Sequence, residues 1–379
     1  MTKKTLLDFA CLALASCLLC PTVWANPAED EIAAATRAMI EELGLRESAT
    51  PARELPGWRR PAKVVAWLDR PEWLPTLQAA APGVEIVPAA SVEEATRAVA
   101  DAQALLGFCE QEIFAQGPDL HWVQVYWSGV EDCVAHPGML QGDKVLTNGQ
   151  AIASPALAEH AIALMMALVR GLDAYHVNQL AGAWRDDVGL FNADFMELEG
   201  RTALVVGLGG IGTQTAKRAH GLGMRVIATR GSRREGPDYV DYVGLADETL
   251  ELARQADVVI NTTPLTDDTR GLFDAAFFKA MKPTAYFISV GRGASTVTDD
   301  LVAALRAGEL AGAGLDVTDP EPLPDGHPLW TTPRVLISPH TAGRSDRTRE
   351  RLLLLVRENL RRYVAGEPLL SVVDIQRGY

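Results

Sequence analysis

From Ala62 onward, short apolar runs alternate with longer stretches in which apolar positions recur every three or four residues. The first series of short runs is AKVVAWL (62–68), VEIVP (84–88), ALLGF (104–108), HWVQV (121–125) and KVLTN (144–148). Each predicts a strand, and the amphipathic stretches between most of them predict helices. A second series follows: residues 203–206 and 226–228, then DVVINTTP (257–264), AYFISVG (285–291), GAGLDV (312–317) and RVLISPH (334–340). Strand and helix alternating in this way predict an α/β protein with two doubly wound parallel sheets, helices covering both faces of each.

Other segments carry different patterns. Glu29 to Leu45 is an acidic helical stretch, ended by the connector PARELPGWRRP. ASPALAEHAIALMMALVRGL (153–172) predicts a long helix, apolar over most of its circumference and therefore buried between domains or subunits. His160 on it reads as a packing residue. Asp346 to Gly366 is amphipathic and returns the chain to the first domain. These boundaries give a leader (1–25), an extension (26–60), one domain from 61–152 with 343–379, and a second from 153–342.

The leader has its own signature. Lys3 and Lys4 precede an apolar run from Phe9 to Leu19, and Val23-Trp24-Ala25 ends in small-residue cleavage style. This predicts a secretory signal peptide cut after Ala25, an exported or periplasmic protein, and no stable membrane insertion after cleavage. Two alternatives stay open. Leu14-Ala15-Ser16-Cys17 resembles a lipoprotein box, and a start codon placed too far upstream would make the protein cytoplasmic.

Composition narrows the choice of partners. A net charge of -14 over 379 residues, with no basic run, argues against nucleic acid. Cys11, Cys17 and Cys20 fall in the leader, and the remaining pair, Cys109 and Cys133, is too sparse for a disulfide framework. No His/Cys/Asp cluster has metal-ligand spacing, so no metal is expected.

The most informative stretch is VVGLGGIGTQTAKRAHGLGMRVIATRGSRR (205–234). Gly207, Gly209 and Gly212 have the spacing G-x-G-x-x-G between a predicted strand and helix. Gly207 permits the tight turn, Gly209 admits a pyrophosphate, and Gly212 lets helix approach strand. The helix N-terminus offers free N–H groups and partial positive charge to phosphates, with Gly210 and Ile211 in its first turn. The carboxylate that usually binds ribose hydroxyls is replaced by Thr229-Arg230-Gly231-Ser232-Arg233-Arg234. Arginines and a serine suit a 2′-phosphate, so NADP(H) is preferred and NAD(H) is the alternative. Arg230 and Arg233 are nearest the strand end; Arg234 is the one expected to point away.

Beyond this loop, DVVINTTPLTDDTRGLF, FISVGRGA, GAGLDVTDPEPL and SPHTAG resemble the D-2-hydroxyacid dehydrogenases over roughly residues 62 to 379. The resemblance implies a Rossmann-type nucleotide-binding domain, a flavodoxin-like substrate domain and an active site in the cleft between them. It gives Arg292 to the substrate, Glu321 to a supporting carboxylate, and His340 to the acid/base. It gives Thr263, Pro264, Val290 and, for the nicotinamide amide, Asp316 to the cofactor. Backbone groups at Gly107, Gly129 and Val130 would take the substrate carboxylate. The residue types support these roles. One planar guanidinium can reach both carboxylate and ketone oxygen of a 2-oxo acid. Hydride delivery creates an alkoxide that needs a proton donor within reach, and a carboxylate beside a histidine orients the ring to supply it.

The resemblance has departures. Ser289 stands where many relatives have Asn, and Thr318 where many have Phe. NADP(H) is scarce outside the cytoplasm and no twin-arginine signal is present, so leader and cofactor loop argue against each other. The expected activity is hydride transfer between NADP(H) and a small 2-oxo or 2-hydroxy acid of the glyoxylate or hydroxypyruvate class. The alternative is a catalytically silent nucleotide-sensing protein on the same scaffold. Formate oxidation is disfavoured because relatives with that activity pair the histidine with glutamine, not Glu321. The apolar helix at 153–172 predicts a homodimer.

Overall fold

The computed structural model describes residues 27–68, 70–140, 144–185 and 195–376. The expected leader, its cleavage site and Cys11, Cys17 and Cys20 lie outside the described residues.

Two parallel sheets organise the chain. The first contains β1 (Lys63–Trp67), β2 (Glu85–Ala89), β3 (Ala104–Leu106), β4 (Trp122–Gln124) and β5 (Val145–Thr147), in the order β2-β1-β3-β4-β5. The second contains β6 (Thr202–Val206), β7 (Arg225–Arg230), β8 (Tyr242–Leu245), β9 (Val258–Asn261), β10 (Tyr286–Ser289), β11 (Gly312–Leu315) and β12 (Val335–Ile337). Its order is β12-β11-β10-β9-β6-β7-β8, so strand order reverses at β6. Every residue of β3, β6, β9 and β10 is buried, as expected for strands covered on both faces. β8 is the strand that the apolar pattern does not reveal; only its two middle residues are buried.

Helices cover both sheets. α1 (Pro27–Leu43) forms the N-terminal extension, and α2 (Trp73–Ala80), α3 (Val92–Ala98), α4 (Gln111–Gln116), α5 (Glu131–Ala135) and α6 (Pro137–Leu140) surround the first sheet. α7 (Ser154–Val169) and α8 (Leu172–Leu180) follow, then α9 (Gly210–Gly221), α10 (Thr249–Ala253), α11 (Ala275–Ala280), α12 (Thr298–Ala307) and α13 (Thr348–Ala365). α13 carries the chain back, setting Val356, Leu360 and Tyr363 into one core with Val64, Leu77 and Trp122. α1 lies along it, with Met39 and Leu43 buried beside Leu355 and Leu370. Each such side chain contributes roughly 1.5–3 kcal/mol through burial. Glu42 and Glu29 pair with Arg351 and Arg357 along the same seam.

The predicted helix over 153–172 is α7, which ends at Val169, and a second helix that the pattern did not predict, α8, starts at Leu172. Gly171 adopts a left-handed conformation (φ 66°), and α8 leaves α7 at 73°. The apolar circumference of α7 is used within the chain: Ala161, Leu164, Met165 and Leu168 enter the core beneath the second sheet. Apolar surface is instead left open on α8 and just after it, at Leu172, Val177, Leu180 and Trp184. Among the described residues no single helix is long and apolar enough to cross a membrane.

The two cysteines dismissed as a framework are in fact joined. A Cys109–Cys133 disulfide ties the loop after β3 to α5, across a separation of 24 residues. Adjacent strands β3 and β4 bring both ends to the same side of the sheet, which the spacing alone does not reveal.

Candidate active site

The glycine loop follows β6, where strand order reverses and open α/β sheets bind ligands. Val206 is flanked by Thr229 of β7 and Asn261 of β9. The N–H groups of Gly207 and Leu208 donate to the Thr229 carbonyl at 3.2 and 2.8 Å, folding the loop against β7. Gly207 has φ +95°, a conformation that a side chain strains. At Gly212 a Cβ would lie 2.2 Å from the Gly207 carbonyl oxygen, so helix and strand meet only without it. A Cβ at Gly209 would meet nothing within 4 Å, which leaves its backbone approachable. Thr262 Oγ1 donates to the Gly207 carbonyl at 2.7 Å, joining the β9 end to this loop. Thr263 and Val290 are buried beside it, Ile211 packs partly against the core, and Pro264 is exposed.

Arg230 closes β7, and its buried Nε has no hydrogen-bond partner among the described residues. Burial, together with the charges of Arg233 and Arg46, holds its guanidinium below the usual arginine range. Ser232 and Arg233 are exposed beside it. Arg234 is turned away, donating to Tyr242 Oη at 3.0 Å and pairing with Glu248, whose carboxyl it and Tyr242 draw down to about 2. An unpartnered donor and the like charges of Arg233 and Arg46, which outweigh the opposing Glu235, form a cradle for an anionic group.

Three further candidates follow the neighbouring strands β10, β11 and β12. Arg292 sits between two glycines that permit close backbone approach. A Cβ at Gly291 would lie 2.7 Å from the Thr263 carbonyl oxygen, and one at Gly293 only 1.8 Å from that of Thr318. Buried Asn261 donates to Ser289 Oγ (3.0 Å) and Ser295 Oγ (2.8 Å), and Ser295 Oγ donates to the Arg292 carbonyl (2.6 Å). Ser289 is thus part of a small polar network that fixes the arginine turn. The Arg292 side chain reaches the other domain, where its Nε donates to Glu131 Oε1 at 2.9 Å.

His340 Nδ1 and Glu321 Oε1 are 2.5 Å apart, with both side chains partly exposed. His340 is itself left-handed (φ +50°), uncommon for a residue with a side chain and held by its surroundings. Asp316 supplies that hold. Its Oδ1 accepts from Ser338 Oγ (2.7 Å) and Thr341 N–H (2.9 Å), and its Oδ2 from Ala342 N–H (3.0 Å). Asp316 is therefore buried under the turn that presents His340, a role the sequence reading did not give it. His160 Nε2 lies 2.7 Å from Ser338 Oγ, a satisfied supporting residue.

On the first domain, Gly107 (φ +83°) and Gly129 end the turns after β3 and β4. A Cβ at Gly107 would strike Tyr126 at 2.7 Å and Trp67 at 2.9 Å. These two rings stack nearly parallel beside it, 6.4 Å between centroids. Val130 is buried at the start of α5, and Asn148 Nδ2 donates to the Ser128 carbonyl at 2.7 Å, steadying the turn. Sequence reasoning overlooked Glu131 and the Trp67–Tyr126 wall. An acid directly after Gly129-Val130 was the available signal for the first; nothing local signals the second. Among the described residues there is no group of three His, Cys, Asp or Glu side chains placed to hold a metal ion.

Comparisons with known proteins agree with this geometry. A sequence model described as the NAD-binding domain of D-isomer specific 2-hydroxyacid dehydrogenases matches residues 162–342. The chain is 32% identical to a human glyoxylate reductase/hydroxypyruvate reductase over 296 residues, 77% of this chain and 89% of that one. It is 33% identical to a glyoxylate reductase of Aeropyrum pernix over 271 residues, 69% of this chain and 79% of that one. Among solved structures, an NADPH-dependent glyoxylate/hydroxypyruvate reductase from Sinorhizobium meliloti, in complex with NADP and sulfate, superposes with a TM-score of 0.72. It is 28% identical, and the match covers 84% of this chain and 100% of that one.

Proposed function

Given that the chain belongs to the D-isomer specific 2-hydroxyacid dehydrogenase family, we propose that it reduces a small 2-oxo acid of the glyoxylate or hydroxypyruvate class, with NADPH as the preferred donor. It is a nicotinamide-dependent oxidoreductase acting on CH–OH groups. The observation that carries the reading of the site is the His340–Glu321 pair following β12 and β11, beside the Arg292 turn after β10.

A nicotinamide cofactor held at the glycine loop after β6 would supply the hydride for the substrate carbonyl. His340 donates through Nδ1 to Glu321, which fixes the ring and leaves Nε2 to hand a proton to the oxygen as it becomes an alkoxide. Arg292 binds the substrate carboxylate and the carbonyl oxygen through its planar guanidinium. N–H groups of the Gly129-Val130 turn share the carboxylate, whereas the Gly107 N–H, expected from the sequence to do so, is donated to the Gln124 carbonyl at 2.7 Å. Trp67 and Tyr126, stacked against Gly107, form an aromatic wall that favours a small substrate side chain. Asp316, its side chain fully buried and both oxygens accepting within the turn, acts by holding His340 rather than by reaching the nicotinamide amide.

The NADPH preference is supported by the unpartnered Arg230 Nε and its neighbours Arg233 and Ser232. One charge-assisted hydrogen bond contributes about 1.5–3 kcal/mol, so two give a preference of roughly a hundredfold, less some loss to solvent. Arg230→Asp removes a phosphate ligand and adds a carboxylate that repels the phosphate and accepts from ribose hydroxyls. The measurement is kcat/KM with NADPH and NADH for both proteins; equal efficiencies in the wild type would sink the preference.

Export is part of the same proposal. The Cys109–Cys133 disulfide supports it, since such bonds persist in oxidising compartments. N-terminal sequencing of protein from its native host should find a chain beginning at Asn26; recovery of Met1 in a cytosolic fraction would reverse the reading.

A further inference from the structure

The Arg292 guanidinium is held by more than its own turn. Glu131, in the first turn of α5, is 161 residues away in sequence and on the opposite domain. Its Oε1 accepts from Arg292 Nε at 2.9 Å, while Nη1 donates to the Gly291 carbonyl at 3.0 Å. Nη2 lies directly over Gly129, where an added Cβ would be 2.0 Å from it. Two N–H groups are thus committed, and the rest, on Nη1 and Nη2, make no other hydrogen bond among the described residues. The pair is partly shielded, with side-chain exposures of 27% and 33%. α5 is in turn anchored by the disulfide at Cys133.

We infer that Glu131 is a positioning residue for the reaction: it grips the Nε edge of Arg292 and leaves the Nη edge for the substrate carboxylate and carbonyl. The inference rests on the reading of Arg292 as a substrate ligand. A guanidinium on a long side chain has many rotamers, and a partner at Nε removes most of them before substrate arrives. Glu131 does this from the domain that also carries the Gly107 and Gly129 turns. The arginine is therefore registered to the other half of the substrate site. A part-exposed ion pair contributes little to stability, so its loss is expected to show in turnover rather than in folding.

The experiment compares Glu131→Ala, Glu131→Gln, Arg292→Ala and the double variant E131A/R292A in steady-state reduction of glyoxylate, with thermal midpoints alongside. Glu131→Ala should lower kcat/KM about tenfold or more, raising KM and lowering kcat together, at nearly unchanged thermal midpoint. Glu131→Gln keeps an acceptor at Oε1 and should recover much of that loss. In the Arg292→Ala background, removing Glu131 should cost nothing further, because the two act through one guanidinium. An unchanged kcat/KM in Glu131→Ala overturns the inference. So does a raised one, which would make Glu131 a competitor of the substrate. An equal loss from Glu131→Ala with and without Arg292 would reduce it to a structural residue. If Arg292→Ala itself is fully active, the underlying reading of the site fails instead.

Discussion

Gly129→Ala tests the active-site geometry with a single methyl group. Gly129 does not have a positive φ, so alanine is tolerated by the backbone and the N–H at this position is kept. The new Cβ would stand 2.0 Å from Arg292 Nη2 and 2.7 Å from Glu131 Oε2. Ordinary contact between such atoms is about 3.5 Å, so the guanidinium must retreat by more than about 1 Å. Both nearest atoms are ends of flexible side chains, and they yield before the fold does. Misplacing a substrate-positioning group by about 1 Å costs on the order of a hundredfold in rate, equivalent to about 2.7 kcal/mol of transition-state stabilisation. The assay is kcat/KM for glyoxylate at saturating NADPH, with the thermal midpoint as the control for folding. The expected result is a loss of about a hundredfold, with the midpoint within a few degrees of wild type. A variant with near wild-type kcat/KM would show that Arg292 is not needed where the structure puts it. A variant that unfolds would show that Gly129 serves packing rather than the site.

Three other outcomes are expected. His340→Ala should lower kcat by roughly 10²–10⁴-fold with cofactor affinity little changed, measured by stopped-flow and cofactor titration; near-normal turnover would remove His340 from the proton transfer. Opening the Cys109–Cys133 bridge by Cys133→Ser should lower stability by about 3.5 kcal/mol, the loop-entropy value for a separation of 24 residues, read by denaturant unfolding. Light scattering should report a homodimer at micromolar concentration, and Leu180→Asp with Trp184→Asp should dissociate it, because the open apolar surface is on α8 and the residues just beyond it. A wild-type monomer would refute that.

Local signals and long-range ones fared differently between sequence and structure. The strands after Ala62 were visible because a buried parallel strand is an unbroken apolar run closed by glycine, proline or asparagine. The glycine loop was visible because each glycine answers a local demand: φ at Gly207, or the 2.2 Å gap at Gly212. β8 was missed because only Val243 and Gly244 of its four residues are buried. α8 was missed because it buries none of its residues and so carries no core-facing apolar pattern. The disulfide depends on β3 and β4 being neighbours in space, and the Arg292–Glu131 contact on one domain meeting the other, neither of which a window of sequence records. Asp316 shows a subtler limit. A buried carboxylate and a ligand-facing one look alike in a motif, and only the hydrogen bonds from Ser338, Thr341 and Ala342 show that it shapes the His340 turn.

The disulfide also constrains how the cleft can open. With the loop after β3 covalently joined to α5, neither rim of the substrate mouth can fold back on its own. The chain crosses between domains only twice within the described residues, from β5 into α7 and from the His340 turn into α13. Any rotation of one domain against the other would have to turn about those two crossings, carrying the bridged loop and α5 together.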